Sequence, residues 1–112
     1  AGATEAEDTI LKPVVLSPAA TGGQGKVHSG SSGHIEDGSV VVTEQLLAAD
    51  LPKLRAAKAV YCTRGSLLSH PVLVAREWGL PVFKISGPEK ETILAESVVV
   101  FEIDGTWRKP SS

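Results

Sequence analysis

The side chain in this sequence best placed for chemistry is His70. It lies in the stretch GSLLSHPVLVAREWGLPVF, Gly65 to Phe83, between a serine and a proline. Ser69 has the type of an N-cap, whose hydroxyl accepts from a backbone N–H two or three residues on. Pro71 fits a first helical turn, where its missing N–H has no helical partner. Arg76 and Glu77 favour helix, Gly79 suits the left-handed position after a helix, and Pro81 prevents continuation. The spacing predicts a helix from about His70 to Trp78, with the imidazole in its first turn. Such an end carries unpaired N–H groups and a partial positive charge. It binds phosphate readily and disfavours an imidazolium, leaving a ring nitrogen free to attack. A neutral imidazole beside a phosphate site is what a transient phosphohistidine requires. Gly65 lets the backbone approach closely, and Arg64 can add a charge-assisted bond to phosphoryl oxygens. By helical periodicity Leu73, Val74 and Glu77 share the His70 face, while Arg76 lies off it and is expected to organise the surroundings. The plain alternative is a surface histidine, or one that only complements a helix end.

Other constellations carry less. Ser69 and His70 leave a helix about 100° apart, which does not let them meet as nucleophile and base, and no acid is placed to complete a triad. His28, His34, His70 and Cys62 match no zinc spacing. His28 and His34 fall in a Gly/Ser loop and read as solvated. Cys62 falls in a buried strand and reads as core packing. Trp78 and Trp107 read as packing or edge residues, and Lys53 and Lys84 as surface charges. There is no glycine-rich phosphate loop with a lysine and no acidic pair spaced for magnesium, so this chain is expected to bind no cofactor or metal itself.

The elements that must position His70 follow from periodicity and punctuation. ILKPVVL, Ile10 to Leu16, reads as a strand, with Pro13 marking an edge or entry point. Ser17 to Gly38 is dense in Gly, Ser and Pro and reads as mostly turns, with GKVH a candidate short strand and SGSSG a loop tip. SVVVTE, Ser39 to Glu44, and AVYCT, Ala59 to Thr63, read as buried strands. LLAADLPKLRAAK between them reads as helical, broken at Pro52. LPVFKI, Leu80 to Ile85, and SVVVFEID, Ser97 to Asp104, read as strands, SGPEKETI as a polar turn with a short helical stretch, and RKPSS as a tail. AVYCT–turn–helix–LPVFKI has the proportions of a βαβ crossover, so those two strands are expected to be parallel. The fold class is mixed α/β, a small mixed sheet with helices packed on it. The expected organisation is a flexible segment 1–9, one domain 10–108 and a tail 109–112.

With 112 residues, 42% of them hydrophobic, the chain can build one real core. A net charge of −2 without a basic stripe argues against nucleic-acid binding. No apolar run approaches the ~20 residues of a membrane span, and the start lacks the pattern of a secretory signal. One cysteine allows no internal disulfide, which suits a reducing compartment: the cytoplasm, with the plastid stroma as the alternative.

The string TRGSLLSHPVLVAREWGLPVF resembles the signature of the phosphohistidine swivelling (mobile) domain of PEP-utilising enzymes. That family includes pyruvate phosphate dikinase, phosphoenolpyruvate synthase, rifampin phosphotransferase and glucan water dikinase. Its pattern is close to G-G-x-x-S/T/C-H-x-x-I/V-x-A-R-x-x-G-x-P, and Gly65, Ser69, His70, Ala75, Arg76, Gly79 and Pro81 fit it. SPAATGGQGKV, EDGSVVVTEQ and VVVFEIDGTW are similar to other segments of the family, so the resemblance runs from about Leu16 to Trp107. It implies a swivelling β/β/α fold and a phosphoryl-carrier function. His70 would take and give the phosphoryl group, derived from ATP or phosphoenolpyruvate, with Arg64, Gly65, Ser69 and Arg76 in support. ATP and Mg2+ would sit on a partner ATP-grasp nucleotide-binding domain. A further domain would hold the acceptor, either in the same polypeptide or in trans. The chain would be the carrier of a dikinase-type transferase and not a complete enzyme. Ser66 replaces the second glycine of the pattern, Leu68 stands where threonine is common, and Pro71 follows the histidine in place of a small alanine. These departures motivate the alternative, a non-catalytic interaction or regulatory module that keeps the fold.

Overall fold

The computed structural model describes residues 12–30 and 33–110. The expected N-terminal segment 1–9, the start of the first strand at Ile10 and Leu11, residues 31–32 of the loop tip and the last two residues lie outside the described residues.

In chain order the elements are β1 (Val14–Ser17), β2 (Gly23–Ser29), β3 (Val40–Gln45), a 3-10 turn (Ala48–Asp50), α1 (Leu51–Leu54), β4 (Ala59–Arg64), α2 (His70–Trp78), β5 (Val82–Lys84), α3 (Gly87–Leu94), β6 (Val98–Phe101) and β7 (Trp107–Arg108). The strands form one seven-stranded sheet in the order β1-β5-β4-β3-β2-β6-β7. β2, β3, β4 and β5 run parallel, and β1, β6 and β7 add antiparallel at the two sides. The mixed α/β architecture is the expected one, and the β4–α2–β5 unit is the expected parallel crossover, with Val60 opposite Val82.

Alternation along the central strands divides the core in two. Val41, Val60, Cys62 and Val82 face one side, where Leu16, Leu51, Leu54, Val72 and Ala75 cover them. Val40, Val42, Ala59, Tyr61 and Phe83 face the other, against Ile85, Ile93, Val99 and Phe101. α2 and α1 therefore pack on one face and α3 on the other. On the α3 face Tyr61 stacks near Phe83, with ring centroids 5.2 Å apart, and its buried O–H donates to the Gly105 carbonyl at 2.6 Å. That bond ties the turn between β6 and β7 to the centre of the sheet. Among the described residues no helix is long and apolar enough to cross a membrane.

Four expectations change. The Gly/Ser-rich stretch read as mostly turns contains β2, seven residues long and paired on both sides. Its glycines serve close approach: a Cβ on Gly25 would stand 2.1 Å from the Gly38 carbonyl oxygen. The helical stretch does divide into two short pieces, the 3-10 turn and the one-turn α1, but Pro52 sits in the first turn of α1 and not between them. The SGPEKETI segment is an eight-residue helix, α3, whose N-cap hydroxyl on Ser86 accepts from the Glu89 N–H at 3.2 Å. Arg108, inside the expected domain 10–108 but read as the start of the RKPSS tail, belongs to β7 and pairs with Val100. Pro13 does precede an edge strand, since β1 pairs only with β5 among the described residues.

Candidate functional site

α2 begins at His70 and ends at Trp78, as its caps predict. Its inner face buries Val72 and Ala75 in the core, and Val74 packs partly against it. That burial fixes the helix on the sheet and leaves the His70 ring exposed at its first turn. At the other end Gly79 adopts φ 73°, and the Leu80 N–H closes on the Ala75 carbonyl at 2.9 Å.

The approach to His70 is the turn from Gly65 to Ser69. Gly65 has φ 156°, a conformation L side chains rarely adopt, and a Cβ there would meet Leu16 Cδ1 at 3.1 Å. Ser69 enters the helix extended, at φ −70° and ψ 145°. The expected cap bond from its hydroxyl is not made. Pro71, at the second helical position, removes one of the two N–H groups a cap hydroxyl can use, but α3 carries a proline at the same position and keeps its cap bond, so the proline does not account for the loss. The Ser69 carbonyl accepts instead from the Leu73 N–H at 3.0 Å, and the Ser69 N–H donates to the Ser66 carbonyl at 3.3 Å. The backbone, not the hydroxyl, shapes this entry.

Beside the turn lies a cavity of about 470 Å3, lined by Gln45, Leu46 and Leu47 after β3, by Arg64, Gly65, Ser66 and Ser69, and by Pro71 and Val72. The structure thus brings Arg64, Gly65 and Ser69 together next to His70. Arg76 is not part of this group. It is exposed in the last turn of α2, about 9 Å along the axis from His70 at 1.5 Å per residue.

Lys84, read from sequence as a surface charge, is half-buried, and its Nζ donates to the Gly65 carbonyl at 3.3 Å. It stands opposite Cys62 in the β4–β5 register. A sequence signal for it existed: in a parallel βαβ unit, the end of the second strand lies beside the turn that leaves the first. Cys62 is fully buried in the core, as expected. Burial pushes its thiol up to about 11, partly offset by the Lys84 ammonium. His28, His34, His70 and Cys62 are not gathered: among the described residues no group of three or more His, Cys, Asp or Glu could hold a metal ion. Trp78 lies under the Arg55 guanidinium, 4.8 Å from the ring centroid, and Trp107 donates to Glu89 Oε2 at 2.6 Å.

An exposed imidazole at a helix start, reached through a glycine turn whose cavity Arg64 also lines, is an arrangement that can accept and release a phosphoryl group. The chain is 28% identical over 101 residues to a probable phosphoenolpyruvate synthase of Staphylothermus marinus, covering 87% of this chain and 12% of that protein. It is 29% identical over 104 residues to a probable phosphoenolpyruvate synthase of Archaeoglobus fulgidus, covering 90% of this chain and 14% of that protein. It therefore spans only a small part of the length of these relatives. A solution NMR structure of a UPF0107 protein shares the fold, with a TM-score of 0.58 at 14% identity, covering 87% of this chain and 95% of that one. Residues 35–107, which include the whole Gly65–Trp78 segment, match the family model described as PEP-utilising enzyme, mobile domain, and the chain belongs to that family.

Proposed function

We propose that this chain is a phosphoryl carrier in which His70 is transiently phosphorylated and moves the group between a nucleotide-binding site and an acceptor site on partner domains. The observation that carries the reading is the exposed His70 ring on the first turn of a helix, inside the segment matched to the mobile domain. A ring nitrogen attacks the donor phosphorus. The N–P bond forms as the P–O bond to the leaving group breaks, and the electron pair leaves on that oxygen. Onward transfer reverses the order, with the acceptor oxygen attacking phosphorus and the pair returning to the ring nitrogen. In this reading the phosphoryl oxygens are received by the first-turn N–H groups of α2, Pro71 having none, and by the Arg64 guanidinium, which lines the adjoining cavity. ATP and Mg2+ belong to the partner in this reading, which is an ATP-grasp domain. Lys84 holds the Gly65 carbonyl, and Arg76 organises the far end of α2.

The test is phosphotransfer. The chain and its His70→Ala variant are incubated with an ATP-grasp partner and β-labelled ATP, and separately with labelled phosphoenolpyruvate and a PEP-binding partner. Acid-labile, base-stable label on the wild type alone is the expected result, and the donor that works names the subclass. A folded chain that takes no label from either donor, with both partners shown to be active, overturns the reading and favours a non-catalytic module.

A further inference from the structure

Seven large hydrophobic side chains are exposed among the described residues, and four of them belong to the turn before His70, to its helix face or to the cavity beside that turn. Leu67, 50% exposed, and Leu68, 84% exposed, form the turn between Ser66 and Ser69, both of which line the 470 Å3 cavity. Leu47, 50% exposed, lines the same cavity from the far side. Leu73, 42% exposed, is three residues beyond His70 and so on its face of α2. Val14, Trp78 and Ile103 lie elsewhere. Single exposed apolar residues are ordinary, but a collar of them around one reactive group marks a contact surface.

We propose that this leucine collar is the docking surface for the protein domain that delivers the phosphoryl group to His70. The inference rests on the reading of His70 as a carrier. Three features select this occupant. The collar is apolar around a cationic residue: Arg64 lines the cavity and no acidic side chain does, which complements a protein surface that presents an anionic group at its centre. A free nucleotide would gain little from leucines on the outer side of the turn. Four partly exposed leucines also fall well short of the ~800 Å2 that each partner buries in a stable complex, which disfavours a second copy of this chain and suits a contact that forms and breaks each cycle. The relatives named above, of which this chain spans 12% and 14%, have ample further chain to supply such a domain.

The experiment uses Leu68→Ser and Leu73→Ser, singly and together, because both side chains are exposed and neither supports the core. His70 labelling is measured with two donors: the ATP-grasp partner with labelled ATP, and phosphoramidate, a small donor that phosphorylates imidazole with release of ammonia and needs no docking. The expected result is a tenfold or greater rise in KM for the double variant as substrate of the partner, with kcat within about threefold and phosphoramidate labelling within about twofold of wild type. An unchanged KM overturns the docking surface and leaves His70 as carrier. Label from phosphoramidate but none from the partner on the wild type also overturns it. Absence of label from both donors overturns the carrier reading itself. Sedimentation that shows a wild-type dimer dissociated by the double variant assigns the collar to self-association and overturns the proposal.

Discussion

Tyr61→Phe separates the worth of one buried hydrogen bond from the cost of ionising it. The Tyr61 side chain is fully buried and its O–H donates to the Gly105 carbonyl at 2.6 Å. Removing the hydroxyl loses that bond and leaves a carbonyl unpaired in the core, which costs ~1–2 kcal/mol near neutral pH. For a domain of this size the melting temperature falls by about 5–10 °C. The pH dependence supplies the sharper test. Burial first, then the carboxylates of Asp104 and Glu89, hold the Tyr61 phenol well above its ordinary value. Below pH ~10 the phenol is protonated in both folded and unfolded chains, and its contribution is fully present. As pH rises past ~10 the unfolded chain releases the proton while the folded chain keeps it, so unfolding gains ~1.4 kcal/mol per pH unit. Phenylalanine has no such loss. The gap between wild type and variant therefore closes near pH ~11. Cys62, its thiol pushed up to about 11, weakens both proteins alike above pH ~9 and cancels in the difference. Urea midpoints of the two proteins at about pH 7, 10 and 11 measure the gap. Tyr61 is the only tyrosine, so phenolate absorbance reads this one group in the native state. A gap that stays constant with pH, or native phenolate formed near pH ~10, refutes the reasoning.

Two further substitutions test the turn and the strand that the glycines allow. Gly65→Ala at φ 156°, with its new methyl 3.1 Å from Leu16 Cδ1, should cost ~1–3 kcal/mol in urea and slow His70 labelling by displacing the turn; stability within ~0.5 kcal/mol of wild type removes the argument. Gly25→Ala places a methyl 2.1 Å from the Gly38 carbonyl oxygen and should cost ~3 kcal/mol or more, read as lost amide protection in β2 and β3 by hydrogen exchange; unchanged protection there would show that the strand does not need the glycine.

What was legible in the sequence was local. α2 carries its own start and stop, with Ser69, Pro71, Gly79 and Pro81 spaced within one stretch, and the structure places its ends where those residues do. Runs such as Val40–Val42 and Ala59–Cys62 are buried on both faces and announce central strands by composition alone. The short link between β4 and β5 leaves a parallel crossover as the packed solution.

Tertiary structure decided what depends on partners far along the chain. β2 reads as loop because glycine and serine lack strand propensity, yet it pairs with β3 and β6, and its glycines are what allow Gly38 and Phe101 to approach. Lys84 reads as a surface lysine until the β4–β5 register sets it beside Cys62 and under the Gly65 carbonyl. The Ser69 hydroxyl, typed as a cap, makes no cap bond, whereas Ser86, the same residue type ahead of a proline at the same helical position, does. The sequence by itself determined the helix that carries His70, because a helix is built from contacts three and four residues apart. The sheet edge at β1 and the Lys84 contact under the Gly65 turn were decided only by folding, because each joins residues distant in sequence.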